Sequence, residues 1–495
     1  MKTLGYDIGS SSIKATLFDV EKGEAITQTM YPDDEMRIYS VKPGWAEQDA
    51  ETWWEAVVIV TKRLLKNSKT RVEEIKSIGI TYQMHGLVLI DKNKQVLRPS
   101  IIWCDSRAVE IGNNAFKEIG EEKCLNQLLN SPGNFTASKL RWVIDNEPEV
   151  FEKVYKFMLP GDYIAMKLSG EVTTTPQGLS EGILWDFNNH EPSKVLMEHY
   201  GIDGALLPDI VPGFGFQCVL SKTTAKELGL KEGTPITYRA GDQPNNAFSL
   251  NVLEPGEIAA TAGTSGVVYG VSGEIKYDKE NRVNTFAHVN HTEELNRLGI
   301  LLCINGTGIS NSWIRKILYD SNISYDVLNR LAGEVNIGSE GLTFLPFGNG
   351  AERMLLNKEL EASFLGLNFN IHNKIHMLRS VLEGVAFSFY YGISILKTLS
   401  VNSRVIRAGM ANMFLSKIFR ETISSLSGCI IQLYNTDGSL GAARAAAYGA
   451  GFYSSFQDAF KSLKCMDIIE PDKKNKNKYM SAYSKWLNEL NLRLR

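Results

Sequence analysis

Short, continuously apolar runs alternate along the chain with longer runs in which apolar residues recur every third or fourth position. The short runs predict strands over residues 3–6, 13–18, 78–82, 87–91, 343–346 and 405–408. The spaced runs predict helices over 50–66, 139–146, 375–399 and 414–427. The first of these carries its own start signal. Asp49 stands where an N-cap belongs, and Trp53, Trp54, Val57, Val60 and Leu64 fall on one stripe. A further helix is expected to begin near Ser310, and the small-residue stretch 435–449 predicts one that packs closely on its neighbours. Strand and helix alternating in this way define an α/β protein.

The first strand pair is joined by an unusual connection. "LGYDIGSSSIKATLFD" places Asp7, Gly9, Ser10, Ser11, Ser12 and Lys14 on a turn that needs far fewer polar groups. Near the middle of the chain "EPGEIAATAGTSGVVYGV" repeats the arrangement, with Gly263, Thr264 and Ser265 falling on Gly9, Ser10 and Ser11. Two such starts, each heading a half of similar length, predict two domains of one architecture, 1–246 and 247–495. The Gly- and Pro-rich stretch 130–220 is expected to be insertion or lid material rather than core.

Composition narrows the setting. The apolar fraction is 43 %, the charged fraction 22 % and the net charge -3, so no global charge draws the chain to nucleic acid or to an anionic membrane. The basic cluster Lys473, Lys474, Lys476 and Lys478 reads as a solvated loop before the last helix. Six scattered cysteines show no metal-ligand or redox spacing, and no stretch approaches the length of a membrane span. A reducing, cytoplasmic setting is expected, and the Asn-x-Ser/Thr tripeptides at Asn134, Asn290, Asn305 and Asn322 then read as chance matches.

Glycine-rich turns carrying hydroxyls can cradle an anion through backbone N–H groups, and a pair of them can clamp a polyphosphate. The chain holds no G-x-x-x-x-G-K-[ST], no G-x-G-x-x-G and no H-R-D, so the P-loop, dinucleotide and protein-kinase solutions are excluded. A paired-hairpin ATPase of the actin type remains. On that reading Gly9, Ser10, Ser11, Gly263 and Thr264 contact nucleotide phosphates, and Lys14 either joins them or faces solvent. Asp7 at a strand end suits Mg²⁺ held through water. "INGTGISNSW", with Gly308, and "RAGMANMF", with Gly409 and Asn412, are either further nucleotide contacts or ordinary strand-to-helix punctuation. Asp242, ending an apolar strand in "YRAGDQPNNAF", is either a helix cap or the carboxylate that takes a hydroxyl proton in phosphoryl transfer. Met84 and His85 in "YQMHG" end another strand. Asp105 in "IIWCDSR" either binds polyol hydroxyls or pairs with Arg107.

These stretches, together with "GWAEQD", "FTASKLRWV", "LPGDYIAMKLSGEV", "LPFGNGAER" and "GSLGAARAAAYG", occur in order, and over essentially its whole length the sequence resembles the FGGY carbohydrate kinases. The resemblance implies two ribonuclease-H-like domains with a cleft between them, ATP and Mg²⁺ as cofactors, a small sugar or polyol as acceptor, and a homodimer as a common assembly. It implies Asp242 as catalytic base, Asp7 as the metal- and phosphate-organising group, and Met84 and His85 as a substrate pair. Thr264, Gly308 and Gly409 fall on nucleotide-contact positions. "QMHG" followed by "LRPSIIWCDSR" looks like a kinase for D-xylulose, with L-xylulose, ribulose, gluconate, glycerol and sedoheptulose as other acceptors of the family. A non-enzymatic switch of the same ATPase architecture is the alternative of a different class. The chain departs from the pattern near the acceptor, with Gln243 beside the base in place of the common Gly-Asp-Asn and no Asp within 173–181.

Overall fold

The computed structural model describes residues 1–319 and 323–495, so the tripeptide at Asn322 lies outside the described residues. Internal contacts divide the chain into two units. The first comprises Met1–Asn251, Thr285–Leu298 and Thr436–Leu463, and the second Val252–Asn284, Gly299–Asn435 and Lys464–Arg495. Where the sequence predicts one boundary after residue 246, the chain crosses at Asn251 and twice returns to the first unit.

The first unit is built on strands β1 (Lys2–Ile8), β2 (Ile13–Asp19), β3 (Glu24–Tyr31), β4 (Ile75–Tyr82), β5 (Phe214–Val219) and β6 (Pro235–Gly241), in the order β5-β6-β4-β1-β2-β3. β1, β4 and β6 are parallel, β2 runs antiparallel to both β1 and β3, and β5 runs antiparallel to β6. In the second unit β7 (Ile258–Ala262), β8 (Gly266–Ser272), β9 (Leu298–Ile304), β10 (Val405–Gly409), β11 (Ile430–Tyr434) and β12 (Cys465–Ile469) lie in the order β12-β11-β10-β7-β8-β9. The β7–β8 hairpin is antiparallel, β7, β10 and β11 are parallel, and β12 is antiparallel to β11. The echo between the two glycine turns is thus the echo of two sheets of one ribonuclease-H-like design.

Local chemistry sets the helix ends. Asp49 accepts from Glu51 N–H and opens the helix Ala50–Ser68, whose Trp53, Val57, Val60 and Leu64 are fully buried. Helix Thr136–Asn146 begins a turn before the predicted start at 139, and Gly308–Leu318 begins before Ser310. Phe414, predicted to open a helix, lies instead in the 3₁₀ turn Asn412–Leu415, because Ser416 accepts from Phe419 N–H and starts the helix Lys417–Ser427 there. The stretch 130–220 is not lid material throughout. Helix Pro160–Ser169 has apolar residues around most of its circumference, and Tyr163, Ile164, Ala165 and Leu168 lie in the first unit's core.

Helix Gly438–Gly449 lies directly on the first sheet. A Cβ added to Gly5 on β1 would stand 2.1 Å from the Ser439 carbonyl oxygen, and one on Gly79 of β4 would stand 2.2 Å from that of Ala442. Threonine hydroxyls fasten the approach. Thr3 donates to the Ala443 carbonyl at 2.7 Å and Thr237 to that of Ala446 at 2.8 Å, while Thr16 and Ser439 hydroxyls meet at 2.7 Å. Among the described residues no helix is long and apolar enough to cross a membrane.

Such a contact has no slack, so Gly79→Ala should act as overpacking, at a cost of about 1–3 kcal/mol. The expected fall in melting temperature is about 5 °C by differential scanning fluorimetry. An unchanged melting temperature would show that helix and sheet are not in main-chain contact there.

Candidate active site

The parallel strands of the first unit end in register. Asp7 on β1 and Ala240 on β6 both stand opposite Thr81 of β4, and Ile8 and Gly241 both stand opposite Tyr82. Gln83 N–H donates to Ile8 carbonyl at 2.8 Å and carries the alignment one residue past β4. Asp7, Met84, His85 and Asp242 are thereby delivered to one edge, the carboxyl ends of parallel strands, where α/β sheets present ligands with side chains.

Asp7 and Asp242 are half-buried. Burial pushes Asp7 up to about 6; Lys14, directly across the hairpin, opposes that, and Asp437 adds to it. Burial, and then the charge of Asp7, push Asp242 up to about 7, and hydrogen bonds from Gln243 resist. Gln243 is thus placed on the carboxylate of Asp242. The N-terminus of helix Gly438–Gly449 adjoins Asp7 so closely that a Cβ on Gly438 would lie 2.5 Å from Asp7 Oδ2. Among the described residues no three His, Cys, Asp or Glu side chains converge as a metal cage.

The turn after β1 is tighter than a simple nest. Gly9 N–H is spent on Ser12 carbonyl at 3.1 Å, inside the turn itself. "GWAEQD" shapes this turn from below. Gln48 donates to Ser10 carbonyl at 2.7 Å and accepts from the Trp53 indole at 3.1 Å, while the Trp103 indole donates to Ser10 Oγ at 3.2 Å.

Asp105 does not face a ligand. It is fully buried, accepts from Ala46 N–H at 2.6 Å and binds Arg107 through both oxygens. Arg107 also pairs with Glu47 at 2.8 Å, and Arg98 closes the network on Glu47. Of the two roles open to Asp105 in the sequence, the ion pair accounts for the whole carboxylate.

His85 adopts a left-handed backbone with φ 61°. Its Nδ1 lies 2.9 Å from the Glu181 carbonyl, which can only accept, so Nδ1 bears the proton. Phe135 meets the ring edge-on at 4.7 Å and Phe286 tilts against it at 5.3 Å. Beneath the loop the buried Lys139 donates to the carbonyls of His85 at 2.8 Å and Ile102 at 2.9 Å, and burial pulls its ammonium down to about 7. Glu181 and Phe286 carry no sequence signal for this place, and "FTASKLRWV" marks Phe135 and Lys139 without saying what they touch, because only tertiary contact brings them to His85.

The second unit has its own cavity, of about 440 Å³, lined by Gly263, Thr264, Gly308, Asn412, Tyr325 and Leu415 among others. Gly308 N–H donates to Gly263 carbonyl at 2.9 Å and Ile309 N–H to that of Thr264 at 3.1 Å, so the β7–β8 turn is hung on the start of helix Gly308–Leu318. Asn412 is left-handed, with φ 53°. Gly409 ends β10 and is not part of the lining.

Comparison with known proteins gives the family. A family model for the N-terminal domain of the FGGY family of carbohydrate kinases matches residues 2–249, and the chain belongs to that family of enzymes. The chain is 29 % identical over 487 residues to the xylulose kinase of Staphylococcus epidermidis, covering 97 % of this chain and 95 % of that one. It is 27 % identical over 495 residues to the xylulose kinase of Bacillus subtilis, covering 98 % and 96 %. The crystal structure of xylulose kinase from Rhodospirillum rubrum superposes with a TM-score of 0.89 at 25 % identity, over 99 % of both chains.

The two raised carboxylates have a consequence for stability. A folded-state pKa of about 7 for Asp242 means the folded protein holds a proton that the unfolded chain has released, so stability is lost as pH climbs from about 4 through 7. Asp242→Asn should therefore stabilise the ligand-free protein at pH 8 by about 1–3 kcal/mol, with the gain vanishing toward pH 4. Thermal melts of both proteins across that range check it; an Asn variant that melts lower at pH 8 refutes the buried-charge account.

Proposed function

We propose that this carbohydrate kinase uses ATP to phosphorylate the terminal hydroxyl of a ketopentose, converting D-xylulose to D-xylulose 5-phosphate. The observation that carries the reading is Asp242. It is a carboxylate just past the end of β6, the first residue of helix Asp242–Ser249, with its pKa raised to about 7, on the same strand edge as Asp7 and the Met84–His85 pair. A base works best with a pKa near the operating pH, where it is ionised and yet basic enough to take a hydroxyl proton. The xylulose kinases among its relatives support the choice of sugar.

In this reading the cavity of the second unit, with Gly263, Thr264, Gly308 and Asn412, holds the nucleoside of ATP, and Gly409 shapes the strand end beside it. Ser10 and Ser11 offer donors to phosphate oxygens, and Lys14 keeps Asp7 ionised against burial. Asp7 fits Mg²⁺: it is a hard oxygen donor with a single lysine opposite, and its neighbour Gly438 leaves no side chain in the way. The ion, when bound with nucleotide, supplies charge neutralisation on the phosphates. His85, whose protonated Nδ1 is held by Glu181, makes Nε2 the ring's hydrogen-bond acceptor for a sugar hydroxyl. Asp242 accepts the proton of the attacking hydroxyl, with Gln243 orienting its carboxylate.

Removing the base should cost about 10²- to 10⁴-fold in kcat with ATP binding retained. The measurement is ADP release from Asp242→Ala with D-xylulose, alongside nucleotide titration calorimetry; wild-type turnover in that variant sinks the assignment. A wild-type panel of D-xylulose, L-xylulose, ribulose, gluconate, glycerol and sedoheptulose settles the acceptor, and a higher kcat/KM on any other member replaces D-xylulose.

A further inference from the structure

The residue that joins the two halves of the acceptor edge is Glu181, which ends the short helix Pro176–Glu181 and is 2 % exposed. Its main-chain carbonyl accepts from His85 Nδ1 at 2.9 Å, and its Oε1 lies 3.4 Å from His85 N–H. Its other oxygen abuts Gly241, the residue before Asp242: a Cβ there would come within 2.3 Å of Glu181 Oε2 and 2.6 Å of Met84 Cγ. One side chain therefore touches both the left-handed His85 and the step that leads into Asp242.

The placement is built rather than incidental. Thr175 Oγ1 accepts from Gly178 N–H at 3.0 Å and opens the helix. Ser180 Oγ accepts from Ala287 N–H at 2.8 Å, next to Phe286, which packs on the His85 ring. Gly182 carbonyl accepts from Ala137 N–H at 3.1 Å, two residues before Lys139, which holds His85 carbonyl. A cap within its own segment and two segments far away in sequence, around Ala137 and Ala287, thus fix Glu181 against the histidine.

Resting on the sugar-kinase reading above, we propose that Glu181 is a positioning residue of the acceptor site: hydrogen-bonded through side chain and main chain to His85 and packed on Gly241, it holds His85 in the left-handed conformation that offers Nε2 to the sugar. Burial, and then the charge of the neighbouring Asp242, push its carboxyl well above the usual carboxylate range. A side chain that acts through a neutral hydrogen bond can be replaced by its amide. One that acts by filling space can be replaced by an apolar residue of equal size.

The test uses Glu181→Gln and Glu181→Met in the full chain, with whichever neutral sugar wild type phosphorylates best; a different sugar then revises the D-xylulose assignment and leaves this test standing. Sugar affinity is read twice, as KM in ADP release and as Kd by calorimetry without nucleotide, together with KM for ATP and melting temperature. Glu181→Gln should keep sugar KM and Kd within about threefold of wild type. Glu181→Met should raise both by about tenfold or more while KM for ATP and the melting temperature hold, a combination that a purely structural role does not produce. The proposal is overturned if the Met variant binds sugar as wild type does, or if the Gln variant is as impaired as the Met variant. It is also overturned if the Met variant loses sugar affinity only in step with its melting temperature.

Discussion

The fold of the first unit turns on the absence of two side chains. Gly5 and Gly79 let the helix Gly438–Gly449 rest on β1 and β4 at main-chain distance, and threonine hydroxyls on β1 and β6 tie its carbonyls down. The contact spans the central parallel strands, whose register brings Asp7 level with Ala240, and Ile8 level with Gly241, across β4. It also sets the helix N-terminus, with its partial positive charge, against the Asp7 carboxylate. The active edge is a by-product of how closely helix and sheet can approach.

That edge is electrostatically unfinished. Asp7 feels both Asp437 and Asp242, Lys14 is the cation that offsets it, and burial adds to the cost of ionising Asp7 and Asp242. A fold selected only for stability would not collect carboxylates this way. A phosphoryl-transfer site gains from it, since a cation and an acceptor proton are what such groups attract. The buried network of Asp105, Arg107, Glu47 and Arg98 is the opposite case: each carboxylate is paired, and its work is to brace the loops beneath the turn.

What could be read from the sequence was whatever is written in neighbouring residues. The strand-turn-strand signature around Gly9 and its echo around Gly263 are local, and with them came the two-sheet design. Asp7, Met84, His85 and Asp242 could be singled out because each ends an apolar strand. Glu181 could not, since its contacts to His85 and Gly241 span stretches with no common pattern. The helix Pro160–Ser169 was misread because glycine and proline flank a segment that is buried on nearly every side. Asp105 stayed open between a polyol ligand and an ion pair because its two-residue spacing to Arg107 does not reveal that the pair lies at 0 % and 1 % exposure.

The route of the chain makes the first unit a late arrival. Its sheet is complete once β6 has been made, but the helix that covers it comes roughly 200 residues later, after most of the second unit. At a ribosomal rate of about 5–20 residues per second this is an interval of roughly 10–40 s. Through it the apolar face around Gly5 and Gly79 stays bare on the nascent chain. The N-terminal half is therefore not a self-sufficient fragment: a gene cut near its apparent midpoint would yield a sheet with one face uncovered, and a chaperone has its longest opportunity to bind before the far end of the protein exists.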